Sequence, residues 1–208
     1  MKKTFLILLS FVAIISGIAA QEITKVRKDA PKESFRTFGE KKIFSSQIST
    51  GLVEGEQGPG LHVELLNGIR YKTWFAGIGT GLDYYYYRSI PVYFSGIKYL
   101  SPRNHSFFIQ GDVGLNFAWE DEAINTWNEV SHEFKPGLYW NGMLGFATGL
   151  DRKNAFSFGL GYSYKSFKEI KEMVVMCFNP PCENTFETYQ YNLKRLTLRL
   201  GWQFNYSR

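Results

Sequence analysis

From residue 43 to residue 206 apolar and polar positions alternate in runs, separated by short polar or glycine-rich stretches. The closing run, 195–206, is the clearest. Leu196, Leu198, Leu200, Trp202, Phe204 and Tyr206 form an unbroken apolar row, with Arg195, Thr197, Arg199, Gly201, Gln203 and Asn205 between them. Successive side chains of a strand point to opposite faces, so this segment has one greasy face and one wet face. Seven further runs of this kind precede it, at 43–54, 61–71, 74–87, 90–100, 106–120, 138–150 and 155–168. The run at 90–100 fits least well, because Lys98 and Gly96 share a parity with Val92 and Phe94. The connections near Lys72, at 101–105 and at 151–154 are short, while two long polar loops, 121–137 and 169–190, fall on the opposite parity.

An even number of alternating runs, mostly longer than the roughly 9–11 residues a tilted spanning strand needs, predicts a membrane-crossing barrel. The expected fold is all-β: an eight-stranded antiparallel up-and-down transmembrane β-barrel, with short turns at the periplasmic end and longer loops outside. A soluble lipocalin-like barrel is the competing architecture. It would turn the greasy rows inward, where eight strands enclose space only for side chains. Rows of large apolar residues ending in aromatics would overfill that space, whereas lipid accepts them.

Composition agrees with many twisted strands: Phe 18, Tyr 13, Trp 5 and Gly 20, against Pro 7. The chain opens with Lys2 and Lys3, then seventeen uncharged residues ending in Gly17-Ile18-Ala19-Ala20, the layout of a signal peptide over 1–20, cleaved after Ala19 or Ala20. Residues 21–42 hold seven basic and four acidic residues without a sustained period and are expected to be a mobile periplasmic segment; 43–208 is the barrel domain. The formal charge of +5 resides in those first 42 residues, and the rest balances. Nucleic acid is therefore not an expected partner.

Arg199-x-Gly201-x-x-Phe204-x-Tyr206 resembles the C-terminal signal of outer-membrane barrels, and the pattern over the whole mature chain resembles the small barrels of the OmpA/OmpX type. The resemblance implies the outer membrane of a Gram-negative bacterium. It also implies lipid and lipopolysaccharide as surroundings, and barrel-assembly machinery that engages the last strand. It specifies no activity. The expected role is non-enzymatic, exerted through the outer loops by surface interaction, adhesion or envelope integrity. A lipid A-modifying enzyme and a small-solute channel are the alternatives.

Candidate chemistry is sparse. Cys177 and Cys182, as Cys-Phe-Asn-Pro-Pro-Cys in an exported chain, are expected to form a disulfide. No metal or cofactor site is expected. Ser131-His132-Glu133 contains hydrolase residue types, but adjacent residues rarely converge as a triad, and barrel deacylases carry a His-x-Ser arrangement that is not present here. Asp121, Glu122, Glu129 and Glu133 are scattered loop carboxylates. Tyr84 to Tyr87 are expected to feed alternate rings into an outer aromatic girdle with Trp119, Trp140, Tyr162 and Tyr164. Trp74, Phe107, Phe156, Phe204 and Tyr206 would form the inner girdle. By parity the interior receives Glu64, Arg70, Asp83, Asp112, Lys165, Arg195 and Arg199. It also receives ten glycines, over which Phe75, Tyr85, Tyr139 and Met143 can lie. Such an interior is packed and does not conduct.

Overall fold

The computed structural model describes residues 42–119, 129–173 and 185–206; of 129–132 and 173 it describes the backbone only. Every regular element among them is a strand: β1 Ile43–Gly55, β2 Gly58–Tyr71, β3 Trp74–Asp83, β4 Ser89–Tyr99, β5 His105–Ala118, β6 Glu129–Thr148, β7 Asn154–Met173 and β8 Thr185–Tyr206. Each pairs antiparallel with the next, and β8 pairs with β1, closing the sheet. Closure removes the unpaired edge that lipid would not tolerate.

The alternation seen in sequence maps onto the two faces of this wall. Leu196, Leu200, Phe94 and Phe107 stand outward, the last two 68% and 65% exposed, while Arg195, Thr197 and Arg199 are buried inside. The outward apolar band touches every strand, far beyond the few hundred Å² a soluble monomer exposes in one patch. Hydrocarbon is the solvent that fits it. At one end Trp74, Phe107, Phe156 and Tyr206 are exposed, and at the other Trp119, Trp140 and Tyr162, as the two girdles require. Lys98 does face lipid, but at the inner rim. Its Nζ lies 4.4 Å from the Trp74 ring centroid and donates to Thr73 Oγ1 at 2.7 Å. A long side chain that lies along apolar surface and puts its charge in the interface reconciles this strand with the pattern.

The structure corrects the outer ends. Much of the predicted loops 121–137 and 169–190 is strand: β6 begins at Glu129, β7 runs to Met173 and β8 starts at Thr185. β7 and β8 stay in register from Asn154↔Phe204 to Met173↔Thr185. Outside the bilayer both faces of a strand meet water, so the apolar–polar alternation that marked the inner part fades. In the other direction, β3 stops at Asp83 rather than reaching 87. Tyr86 has φ 61°, and the Tyr85 amide donates to Asp83 Oδ1 at 2.9 Å, which turns the chain off the strand. Residues 1–41, which include the expected signal peptide, lie outside the described residues, as do Cys177, Cys182, Asp121 and Glu122.

Candidate functional site

Two regions are distinctive: the interior, and the part of β6–β8 that rises above the barrel.

The interior is filled in layers. Toward the inner end, Phe75, Ile97, Tyr99, Phe108, Ala147 and Leu150 pack together, and Arg70 donates to the Leu150 carbonyl at 2.7 Å. Above them Glu64 accepts from Arg199 at 2.9 Å, from Tyr93 at 3.1 Å and from Tyr139 at 3.4 Å. Arg199 also lies 3.6 Å from Asp112, which accepts from Gln110 at 3.0 Å and from Asn141 at 2.7 Å. Next comes Asp83, paired with Arg195 and, at 3.3 Å, with Lys165. Lys165 is fully buried and donates to the carbonyls of Tyr85 and Tyr87 and to Ser89 Oγ. Three acids thus meet three bases, the arrangement in which charges out of water are tolerated. All seven charged residues assigned inward by sequence are inside.

Glycine sets where the rings go. A Cβ on Gly79 would stand 2.5 Å from the Tyr93 ring, and one on Gly145 would strike Phe108. The expected crossing of Phe75, Tyr85, Tyr139 and Met143 is observed, with all four buried. Tyr93 and Phe108 were not singled out from sequence, although their parity would have found them.

At the outer mouth Tyr85, Phe167, Val53 and Leu193 form a second apolar cluster against Tyr87, Phe134 and Tyr191. Phe167 stacks on Tyr191 at 4.8 Å and meets Tyr87 edge-on at 5.4 Å. Tyr191 donates to Glu169 at 2.7 Å; burial, and then that carboxylate, push its phenol pKa up. Tyr84 and Tyr86 are exposed, but Tyr85 and Tyr87 serve this plug and not the girdle.

Beyond the mouth, three strands continue. β1 pairs with β8 only up to Gly55↔Arg195, and β5 pairs with β6 only up to Asn116↔Gly137. Residues 129–136, 166–173 and 185–194 therefore form a three-stranded extension standing above the rim.

No hydrolase site is assembled among the described side chains. Glu133 is exposed on β6, and the side chains of Ser131 and His132 are outside the described set. His62 is buried in the interior, level with Asp83. His105 is at the inner rim, its Nδ1 2.7 Å from Thr148 Oγ1. Among the described residues no cluster of three or more His, Cys, Asp or Glu side chains could hold a metal.

No family model matches the sequence, and no curated protein matches it. Solved structures do match the fold. Neisserial surface protein A superposes with a TM-score of 0.54 at 10% identity, over 79% of this chain and 97% of that one. The chain has the fold of the small eight-stranded outer-membrane barrels. Two further structures align less closely. The outer membrane protein OprG from Pseudomonas aeruginosa gives a TM-score of 0.47 at 14% identity, over 83% and 100% of the two chains. The outer membrane protein AlkL in lipid bilayers gives 0.46 at 11%, over 88% and 98%.

Proposed function

We propose that the chain is a non-enzymatic protein of the Gram-negative outer membrane that acts on the outside, through the three-stranded extension and the loops it carries. The observation that carries this reading is the pairing of a filled interior with strands that outrun the barrel by eight to ten residues. A channel needs open cross-section, and an interior of paired charges and aromatic layers supplies none. A rigid sheet above the rim is of no use to the wall itself, because the hydrocarbon of the bilayer does not reach it.

Among the described residues the extension also has an unguarded edge. The Asn205 amide bonds to Lys153, toward β7, so even-numbered residues of β8 point their backbone groups the other way. Above Gly55 that side has no strand beside it among the described residues, which leaves Phe186, Thr188, Gln190 and Asn192 with N–H and C=O groups directed outward. Edges of this length are commonly blunted with proline or a bulge. The β6 edge carries Pro136 and register shifts, whereas β8 carries neither. Addition of a strand from another protein is the mode of contact such an edge suits. In the same reading the last strand is what barrel-assembly machinery engages, and outer-leaflet lipid with lipopolysaccharide surrounds the wall.

The test is topological and electrical. In intact cells, membrane-impermeant amine reagents should modify Lys168 and Lys171 without lysis, and the purified protein in a planar bilayer should stay silent. Steady conductance whose ion preference reverses with Arg199→Glu would overturn the reading in favour of a channel.

A further inference from the structure

Lys135 on β6 and Lys168 on β7 are directly opposed in register and share the outward face of the extension, and both are exposed. Like charges in this position destabilise a sheet. Neither lysine has an ion-pair partner among the described residues, and neither does Lys194, on the same face of β8. Glu133 stands next to Lys135 on that face, two residues further out, opposite Ile170 and without contact to either lysine. The three cations lie along the outer rim of one face, Lys135 level with Lys168 and Lys194 below them. Lys194 is level with Tyr164 of the outer girdle, and Lys168 is four residues above it, about 13 Å along the strand. This is where the headgroups of the outer leaflet lie.

Directly beneath, the same strands form a hollow in the wall. Gly142 faces lipid, and a Cβ there would meet nothing within 4 Å. Around it Ile109, Leu144, Leu160, Tyr162 and Leu196 line a groove of about 500 Å³ that is almost wholly apolar. Gly142 pairs with Tyr162, six residues below Lys168 on β7, about 20 Å along a tilted strand, a span that one lipid acyl chain and its headgroup can bridge.

We infer that the β6–β8 wall binds a phosphate-bearing acylated lipid of the outer leaflet, with phosphate across Lys135 and Lys168 and an acyl chain in the groove at Gly142. Phosphate removes the like-charge penalty that the bare pair carries, and the groove supplies contact that a free anion cannot use. Lys194 sits between the two parts and can take a second anionic group of the same lipid. The inference rests on the outer-membrane orientation proposed above.

The full chain is folded in zwitterionic detergent and exposed to phosphatidylcholine vesicles. These carry a bisphosphorylated acylated disaccharide lipid, its dephosphorylated form, or phosphatidylglycerol; inorganic phosphate alone is a fourth arm. Lipid retained on the protein is read by native mass spectrometry. A heat-dependent gel shift confirms that each variant is folded, so loss of the barrel is distinguishable from loss of the site. The phosphorylated glycolipid should be retained, and Lys135→Gln with Lys168→Gln should lower retention about tenfold, the loss of ~1.4 kcal/mol. Lys135→Glu, which gives Lys168 a partner, should do the same while leaving the barrel at least as stable. Gly142→Leu should weaken retention with both lysines intact. Retention of phosphatidylglycerol to the same degree supports a general anionic-lipid site, and its exclusion supports a glycolipid site. Undiminished retention in the double variant, equal retention of the dephosphorylated lipid, or full displacement by inorganic phosphate would each overturn the inference.

Discussion

Arg199 of β8 passes over β1 and meets Glu64 of β2, its Nη2 2.9 Å from Oε2. Tyr139 of β6 reaches the same carboxylate from the far side of the barrel, at 3.4 Å. One carboxylate thus joins strands that share no backbone ladder. Removing one partner leaves a buried charge uncompensated, at a cost of about 3–5 kcal/mol. Arg199→Met and Glu64→Gln should each lower the urea midpoint for unfolding from lipid vesicles. The double variant should lose less than the two singles added together. Strict additivity would show that the pair does not interact in the folded barrel.

Position 198 tests which face is which. Leu198 points to lipid near mid-wall, and a basic side chain there costs roughly 2–4 kcal/mol. Thr197 is buried between Arg195 and Arg199 and lies 3.0 Å from Ser163. Thr197→Arg would set a third cation among its like and should fold no better than Leu198→Arg. Charge reversal separates the two sites. Thr197→Glu should be tolerated better than Thr197→Arg, whereas both charges are rejected at 198. Refolding yields scored by gel shift that show the same sign dependence at both positions would contradict this.

Gly79 makes room for Tyr93. Its replacement by Ala drives a methyl group into that ring and should cost about 1–3 kcal/mol. In a Tyr93→Leu background the same substitution should cost little, because residues in contact are not additive. A full penalty in both backgrounds would place the strain elsewhere.

Non-reducing peptide mapping should recover Cys177 joined to Cys182. Reduction should leave the barrel's heat-dependent gel shift unchanged, since the ladder that closes the barrel runs through β7 up to Met173 and β8 from Thr185. Free thiols at both positions in protein isolated from the periplasmic side of export would refute the pairing.

The sequence was most readable where two solvents meet. Leu196 through Tyr206 announced a wall with lipid on one face and packed polar groups on the other, and the seven inward charges followed from parity alone. Legibility ended with that contrast. Glu133, Lys135 and Lys171 sit on strands beyond that contrast and read as loop, and Lys168 stood at the very end of its expected run. The opposition of Lys135 to Lys168 was hidden for a second reason: β6 shifts register between Pro136 and Tyr139, so counting along the chain does not align them. Tyr85 was expected inside and is buried there; what stayed hidden was a local matter, the turn of the chain away from β3 after Asp83.

The six charges that pair across the interior, leaving aside Arg70 at its inner end, are also sorted by their order of synthesis. Glu64, Asp83 and Asp112 belong to β2, β3 and β5, while Lys165, Arg195 and Arg199 belong to β7 and β8. A sheet with only its first strands in place presents an acidic wall with little to answer it. The cations arrive with the strands that complete the circle, so each ion pair across the interior becomes available as the ring shuts. Hydrogen bonding between β8 and β1 fastens the seam from the backbone, and Arg195 and Arg199 latch it from within. The feature that leaves no room for solute thereby gives the open sheet an electrostatic reason to close.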